Sequence, residues 1–243
     1  MTRRGLFLSL FCGLAAAPFG GAWAAGDRLR YGPDPRQTVE MLAPRGAAGR
    51  PVLVLFADER GEGRKLARRL ARRGFVVALA GLRTVGGSEA VMIADAAVAT
   101  VWVADRAAGF GGDPARLGVL GLGRRADAAL MIALDRRYMA GRGRSDLIRV
   151  AASWRRSSPG PQPDPTLTRP EAYIRVDAPP IGLAGGGDAD LALAARIRAL
   201  GGRVQIDAGR IAARAAPRDD AIEGLYSALA PLQGCAASRP CRP

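Results

Sequence analysis

Leu117-Gly118-Val119-Leu120-Gly121-Leu122-Gly123-Arg124-Arg125-Ala126-Asp127 decides the reading of this 243-residue chain. It opens as a short apolar run, passes two glycines set one residue apart, and ends on residues that suit the start of a helix. The succession is strand, very tight turn, helix. A corner of that shape holds a nucleophilic serine where the pattern is G-x-S-x-G. Here the serine position is Gly123, and the chain contains no histidine. The stretch points to a fold more readily than to a reaction.

Outward from this corner, apolar runs alternate with helical patterns. Asp27 to Pro44 reads as a β region, with Leu29, Tyr31, Val39 and Met41 as buried positions. Pro51 to Phe56 and Phe75 to Ala80 are continuous apolar runs, as strands buried on both faces of a parallel sheet require. Between them the pattern predicts a loop over 57–63 and a helix from Arg64 to Arg73, stopped by Gly74. Ser88 and Glu89 suit a helix start, and the apolar positions from Val91 to Trp102 fill a long helix broken at Gly109 to Pro114. The opening stretch supplies a third strand and a helix from Arg124 to about Arg137. Ile148 to Ala152 is a fourth strand and Ile181 to Ala184 a fifth. A helix over 191–200, a strand over 204–207 and a helix over 219–232 complete the order. Residues 155–180 form the one irregular region, rich in proline and serine. Regular alternation predicts an α/β fold, a mostly parallel sheet with helices on both faces. One domain over 27–233 accommodates it.

The formal net charge is +14, from 36 basic residues against 22 acidic. Lys65 is the sole lysine. The arginines come in scattered pairs, not in one run of 5–8 residues, so the charge reads as arginine usage and not as a nucleic-acid surface. Arg68, Arg69, Arg72 and Arg73 flank Leu66 and Leu70, the arrangement of a solvated helix face over a buried one. Residues 1–24 have the layout of a signal peptide. Arg3 and Arg4 form a basic start, Gly5 to Ala17 an apolar run too short to span a bilayer, and Ala22-Trp23-Ala24 a small-x-small cleavage site. Thr2 to Phe7 is similar to a twin-arginine signal. These residues predict a periplasmic or secreted protein without a stable membrane span. Cys12 leaves with the signal. Cys235 and Cys241 remain, in a tail over 234–243, and an exported pair favours a disulfide over a metal site.

Several local strings resemble the α/β-hydrolase superfamily, in its esterase/lipase and feruloyl-esterase-like branch. The resemblance runs from about Tyr31 to the last helix. It is carried by Gly74-Phe75-Val76-Val77 with Arg83, by Asp95 with Ala99, Trp102 and Val103, and by Phe110-Gly111-Gly112-Asp113-Pro114-Ala115-Arg116-Leu117, which leads into the corner. Pro179-Pro180 and Gly185, three residues before Asp188, are similar to the stretch that carries the family's triad acid. The resemblance implies an ester hydrolase fold with no cofactor, a nucleophile at position 123 and an acid at Asp188. The departures fall on the chemistry. Gly123 cannot form an acyl-enzyme, no histidine is present to take a proton, and Ala57-Asp58-Glu59-Arg60-Gly61 replaces the His-Gly-Gly loop of many members. Asp188 alone keeps its type, and without a histidine it has nothing to orient.

The residues leave other readings open. Gly121 to Ala126 fits G-x-G-x-x-A, a dinucleotide fingerprint, but Ile148 to Ala152 lacks the ribose-binding acid that should follow. Gly61 to Lys65 has the wrong spacing for a phosphate loop. Ser153 or Ser157 could serve as an alternative nucleophile only with Asp188 or Asp58 as a base of strongly raised pKa. Arg124 and Arg125 stand at a helix start, where free N–H groups favour anions, and two guanidiniums there could clamp a carboxylate or phosphate. The candidate ligand site is therefore Leu122, Gly123, Arg124 and Arg125, for a small anionic or acyl ligand.

Overall fold

A computed structural model describes residues 28–57, 60–83, 88–155, 170–185 and 187–207, together with Leu229 and Leu232. The proposed signal segment, the helix over 219–232 apart from those two leucines, Ser157, Asp58, Cys235 and Cys241 lie outside the described residues.

Among the described residues, eight strands make one sheet: β1 (Arg28–Arg30), β2 (Thr38–Leu42), β3 (Arg50–Phe56), β4 (Val76–Ala80), β5 (Gly112–Leu122), β6 (Ile148–Trp154), β7 (Ile181–Ala184) and β8 (Val204–Asp207). Their order is β1-β2-β4-β3-β5-β6-β7-β8. The first two strands are antiparallel to their neighbours, and every later pairing is parallel. The continuous apolar runs now have their reason. Val52 to Phe56 and Phe75 to Val77 are at most 1 % exposed, because parallel strands joined by helical crossovers are covered on both sides.

The helices are α1 (Arg60–Arg72), α2 (Glu89–Arg106), α3 (Ala126–Leu134), α4 (Arg136–Ala140) and α5 (Asp188–Ala199). On one face α1 places Leu66, Ala67 and Leu70 on Leu53, Leu55, Val77 and Leu120, with Leu229 and Leu232 in the same cluster. On the other face α2, α3 and α5 pack on Val52, Val54, Val76 and Val119. The two clusters are the two sides of one sheet, whose side chains alternate along each strand.

Four boundaries differ from the sequence reading. Helix α1 begins at Arg60 and takes in Gly61 and Gly63, which the pattern assigned to a loop. Gly63 is buried, and a Cβ there would meet Ala57 Cβ at 2.7 Å; this glycine serves close packing of the helix on the sheet, not a turn. The break at Gly109 to Pro114 shrinks to a 3-10 turn over Ala107–Phe110 and a left-handed Gly111, and β5 already starts at Gly112. The helix expected from Arg124 to Arg137 divides at Asp135, whose carboxylate accepts from the backbone N–H of Arg137 and caps α4. Helix α5 starts at Asp188, three residues before the expected Leu191. Ser88 does stand at the N-cap of α2, but its side chain makes no capping hydrogen bond.

The antiparallel edge is stitched to this frame by buried polar groups. The Asp95 carboxylate on α2, 1 % exposed, accepts from the Arg83 guanidinium at 2.7 Å, from the Arg83 backbone N–H at 2.9 Å and from Gln37 Nε2 at 2.8 Å. Burial alone would push this carboxyl up. The donors outweigh it and hold the group below the usual carboxylate range. Tyr31 donates its hydroxyl to Gly81 O at 2.6 Å, and burial, with the nearby Asp95 charge, raises its pKa.

Candidate functional site

Strand β5 ends at Leu122, and the chain turns through a 3-10 turn, Gly123–Arg125, into α3. Two glycines permit this corner for different reasons. Gly123 has φ of 60°, in the left-handed region that side-chain-bearing residues occupy only at a cost. Gly121 lies under the turn, and a Cβ there would meet Arg125 O at 2.3 Å and Ala126 Cα at 2.6 Å. The helix can start this close to its strand only because position 121 carries no side chain.

The turn sends its arginines in different directions. Arg124 is exposed, whereas Arg125 is 8 % exposed. Arg125 alone lines a cavity of about 190 Å³ at the carboxyl ends of β3 and β4. Arg28 and Arg36 of the β1–β2 edge contribute two further guanidiniums to that cavity, and Thr38 and Glu40 of β2 stand on the same wall. The Glu40 carboxylate is matched by Arg64 of α1, with Nη2 to Oε2 at 2.5 Å. Ala57, Leu79, Ala80 and Leu82 supply apolar lining. Leu122 is half-buried and packs against the cluster beneath α1. The sequence reading missed Arg28, Arg36, Thr38 and Glu40. They lie far from the corner in the chain, and only the antiparallel pairing of β2 with β4 brings them beside it.

Asp188 is the first residue of α5 and is exposed. Two positions on, Asp190 is 2 % exposed and faces inward. Arg155, just past β6, bridges Asp190 at 3.3 Å and Asp127 of α3 at 2.5 Å. An ion-paired arginine thus ties together the helix after the corner, the end of β6 and the helix after β7. The Arg155 guanidinium stays protonated and does not itself accept a proton. Ser153 is 1 % exposed and pairs in register with Gly121. Among the described residues its hydroxyl has no hydrogen-bond partner. Among the described residues no group of His, Cys, Asp or Glu could hold a metal ion, and no helix is long and apolar enough to cross a membrane.

The sheet order, the crossovers on both faces and the tight corner after β5 define the α/β-hydrolase fold. No family model matches the sequence, and no curated protein matches it. Solved structures do. Esterase 2 of Thermogutta terrifontis phosphoramylated by tabun superposes with a TM-score of 0.71 at 20% identity, over 89% of this chain and 97% of that one. The same esterase phosphorylated by paraoxon gives 0.68 at 20% identity, over 85% and 91%. Its butyrate-bound form gives 0.67 at 18% identity, over 86% and 92%. Likeness at this identity extends to the fold.

Proposed function

We propose that this chain is an exported, non-catalytic member of the α/β-hydrolase fold that binds a small anionic or acyl ligand beside its corner. One observation carries the reading: the nucleophile position is a left-handed glycine in a chain without histidine. Acyl transfer at such a corner needs a hydroxyl and a group of near-neutral pKa to take its proton. Gly123 offers no hydroxyl, and the residues nearest the corner are arginines. The esterase-like neighbours support the frame, and their chemistry does not transfer with it. The feruloyl-esterase-like branch rests on the local strings alone, and export rests on residues 1–24.

The ligand reading is supported by Arg125, a buried cation lining a cavity next to the vacated nucleophile position. The test is hydrolysis of p-nitrophenyl acetate and butyrate by the folded, purified chain. The expected rate equals that of buffer. Turnover above buffer that is lost in Asp188→Ala would overturn the reading.

A further inference from the structure

The amino ends of the central strands carry a ribbon of arginines. Arg50 opens β3 opposite Gly112 of β5, and its backbone N–H donates to Gly111 O at 2.9 Å. Its side chain turns back to the end of α1, with Nη1 3.7 Å from where a Cβ on Gly74 would stand. Arg72 closes the last turn of that helix. On the other side of Arg50, Arg116 donates to Gly49 O and, at 3.4 Å, to Leu232 O. Arg149 of β6 donates from Nε to Ala115 O at 3.2 Å. Arg45 joins from the loop before β3, which packs on Gly111 through Ala47. These contacts make one continuous surface from α1 across β3 and β5 to β6.

Little negative charge offsets it. Asp113 is already matched by Arg116 at 2.9 Å. Arg45, Arg50, Arg72 and Arg149 are exposed, and among the described residues no carboxylate pairs with them. Residues 208–243, mostly outside the described residues, bring five arginines against Asp219, Asp220 and Glu223, so their balance is positive too. A cation at a helix C-terminus complements the helix dipole, which accounts for Arg72. Arg45, Arg50 and Arg149 stand on strands and a loop, where the backbone dipoles largely cancel and give no such reason.

The surface fits a plane of anionic head groups better than a nucleic acid. Among the described residues no aromatic side chain is exposed, so bases find no stacking platform. Strand starts and loops also present no helix to a groove. An anionic bilayer needs only cations near its plane, and guanidiniums pair well with phosphate. Strands β3, β5 and β6 run parallel, so the ribbon lies at the opposite end of the sheet from Gly123. A molecule docked by this end keeps its corner open to water.

We propose that this end of the sheet docks the protein peripherally on a bilayer rich in anionic phospholipid, with Arg45, Arg50, Arg72 and Arg149 on the head groups. The docking is independent of what the corner binds.

The test is co-sedimentation of the full chain with phosphatidylcholine vesicles, with and without about 30 % phosphatidylglycerol, in about 0.1 M salt. Vesicles of phosphatidylcholine alone report what the apolar run of residues 5–17 contributes. The anionic vesicles are expected to bind about tenfold more tightly or better, and about 0.5 M salt should abolish the difference. Each arginine near an anionic surface is worth about fivefold in partitioning, so Arg50→Gln with Arg72→Gln should weaken binding about twentyfold. If that pair fails to fold, Arg45→Gln with Arg149→Gln carries the same expectation. Arg30→Gln with Lys65→Gln removes equal charge from exposed positions off the ribbon and should cost less than about threefold. Equal binding to the two kinds of vesicle, or equal losses from the ribbon and control pairs, would overturn the proposal. Duplex DNA bound as tightly as the anionic vesicles at equal phosphate concentration would overturn the membrane as the partner.

Discussion

Gly123 with its φ of 60° relaxes the corner and carries no hydroxyl. A serine there would sit in the left-handed region at a cost of about 1–2 kcal/mol and would still lack a base. Gly123→Ser is therefore expected to lower stability by about 1 kcal/mol and to gain no esterase activity. Denaturant unfolding and an ester assay on one preparation check both parts, and an active variant would mean that some other group accepts the proton. Asp190 is the second instructive residue. It is nearly completely buried beside Arg155, and taking one partner from a buried ion pair costs about 3–5 kcal/mol. Arg155 is part-exposed and also meets Asp127, so Arg155→Ala should fall at the lower end, about 3 kcal/mol. A loss within experimental error would show that this linkage is not structural.

At the scale of elements, α1 separates two uses of glycine that look alike in sequence. Gly61 has nothing within 4 Å of an added Cβ, whereas at Gly63 that atom meets Ala57 Cβ at 2.7 Å and Leu79 Cδ1 at 3.0 Å. Gly61→Ala should stabilise by about 0.4–1 kcal/mol through a less flexible unfolded chain. Gly63→Ala should destabilise by about 1–3 kcal/mol through overpacking. Thermal melts of the two variants moving in the same direction would contradict this account of the α1–sheet contact. Periodicity finds an apolar face, and so the strands and the centres of α1 and α2 were legible in the sequence. It cannot say whether a glycine ends a helix or lets one approach, and this misplaced the start of α1 by four residues. The local strings that resemble the hydrolase superfamily turn out to be scaffold. Arg83 pairs with Asp95 at 2.7 Å, and Asp113 with Arg116 at 2.9 Å. Arg116 also donates to Gly49 O, tying the entry of β5 to that of β3. The corner and its missing nucleophile were legible because they lie in one continuous stretch. The arginines that complete the cavity were not, because sheet pairing alone joins β1 and β2 to the corner.

For the molecule as a whole, the absence of histidine shapes how stability depends on pH. No side chain has its ordinary pKa between about 5 and 8, so the melting temperature should be flat across that range. Asp95 and Asp135 are held below the usual carboxylate range; burial opposes this in both, and hydrogen bonds from Arg83 and from Arg137 outweigh it. A carboxylate with a lowered folded-state pKa contributes stability that is fully present above the unfolded value, about 3.9 for Asp. That contribution is lost as pH falls through the folded value. Thermal unfolding should therefore steepen below about pH 4, helped by self-repulsion as the net charge rises above +14. Asp95→Asn should flatten that acid limb, and a step between pH 5 and 8 would point to a titrating group outside these two. At the end of β5 the fold places a left-handed glycine, with a buried arginine and a small cavity beside it, and the proposed function assigns no nucleophile to that corner. Intact-mass spectrometry of the purified chain after exposure to paraoxon tests this most directly, since that reagent phosphorylates the structurally similar Thermogutta terrifontis esterase 2. The account predicts an unchanged mass; a single phosphoryl adduct on the folded protein would contradict it.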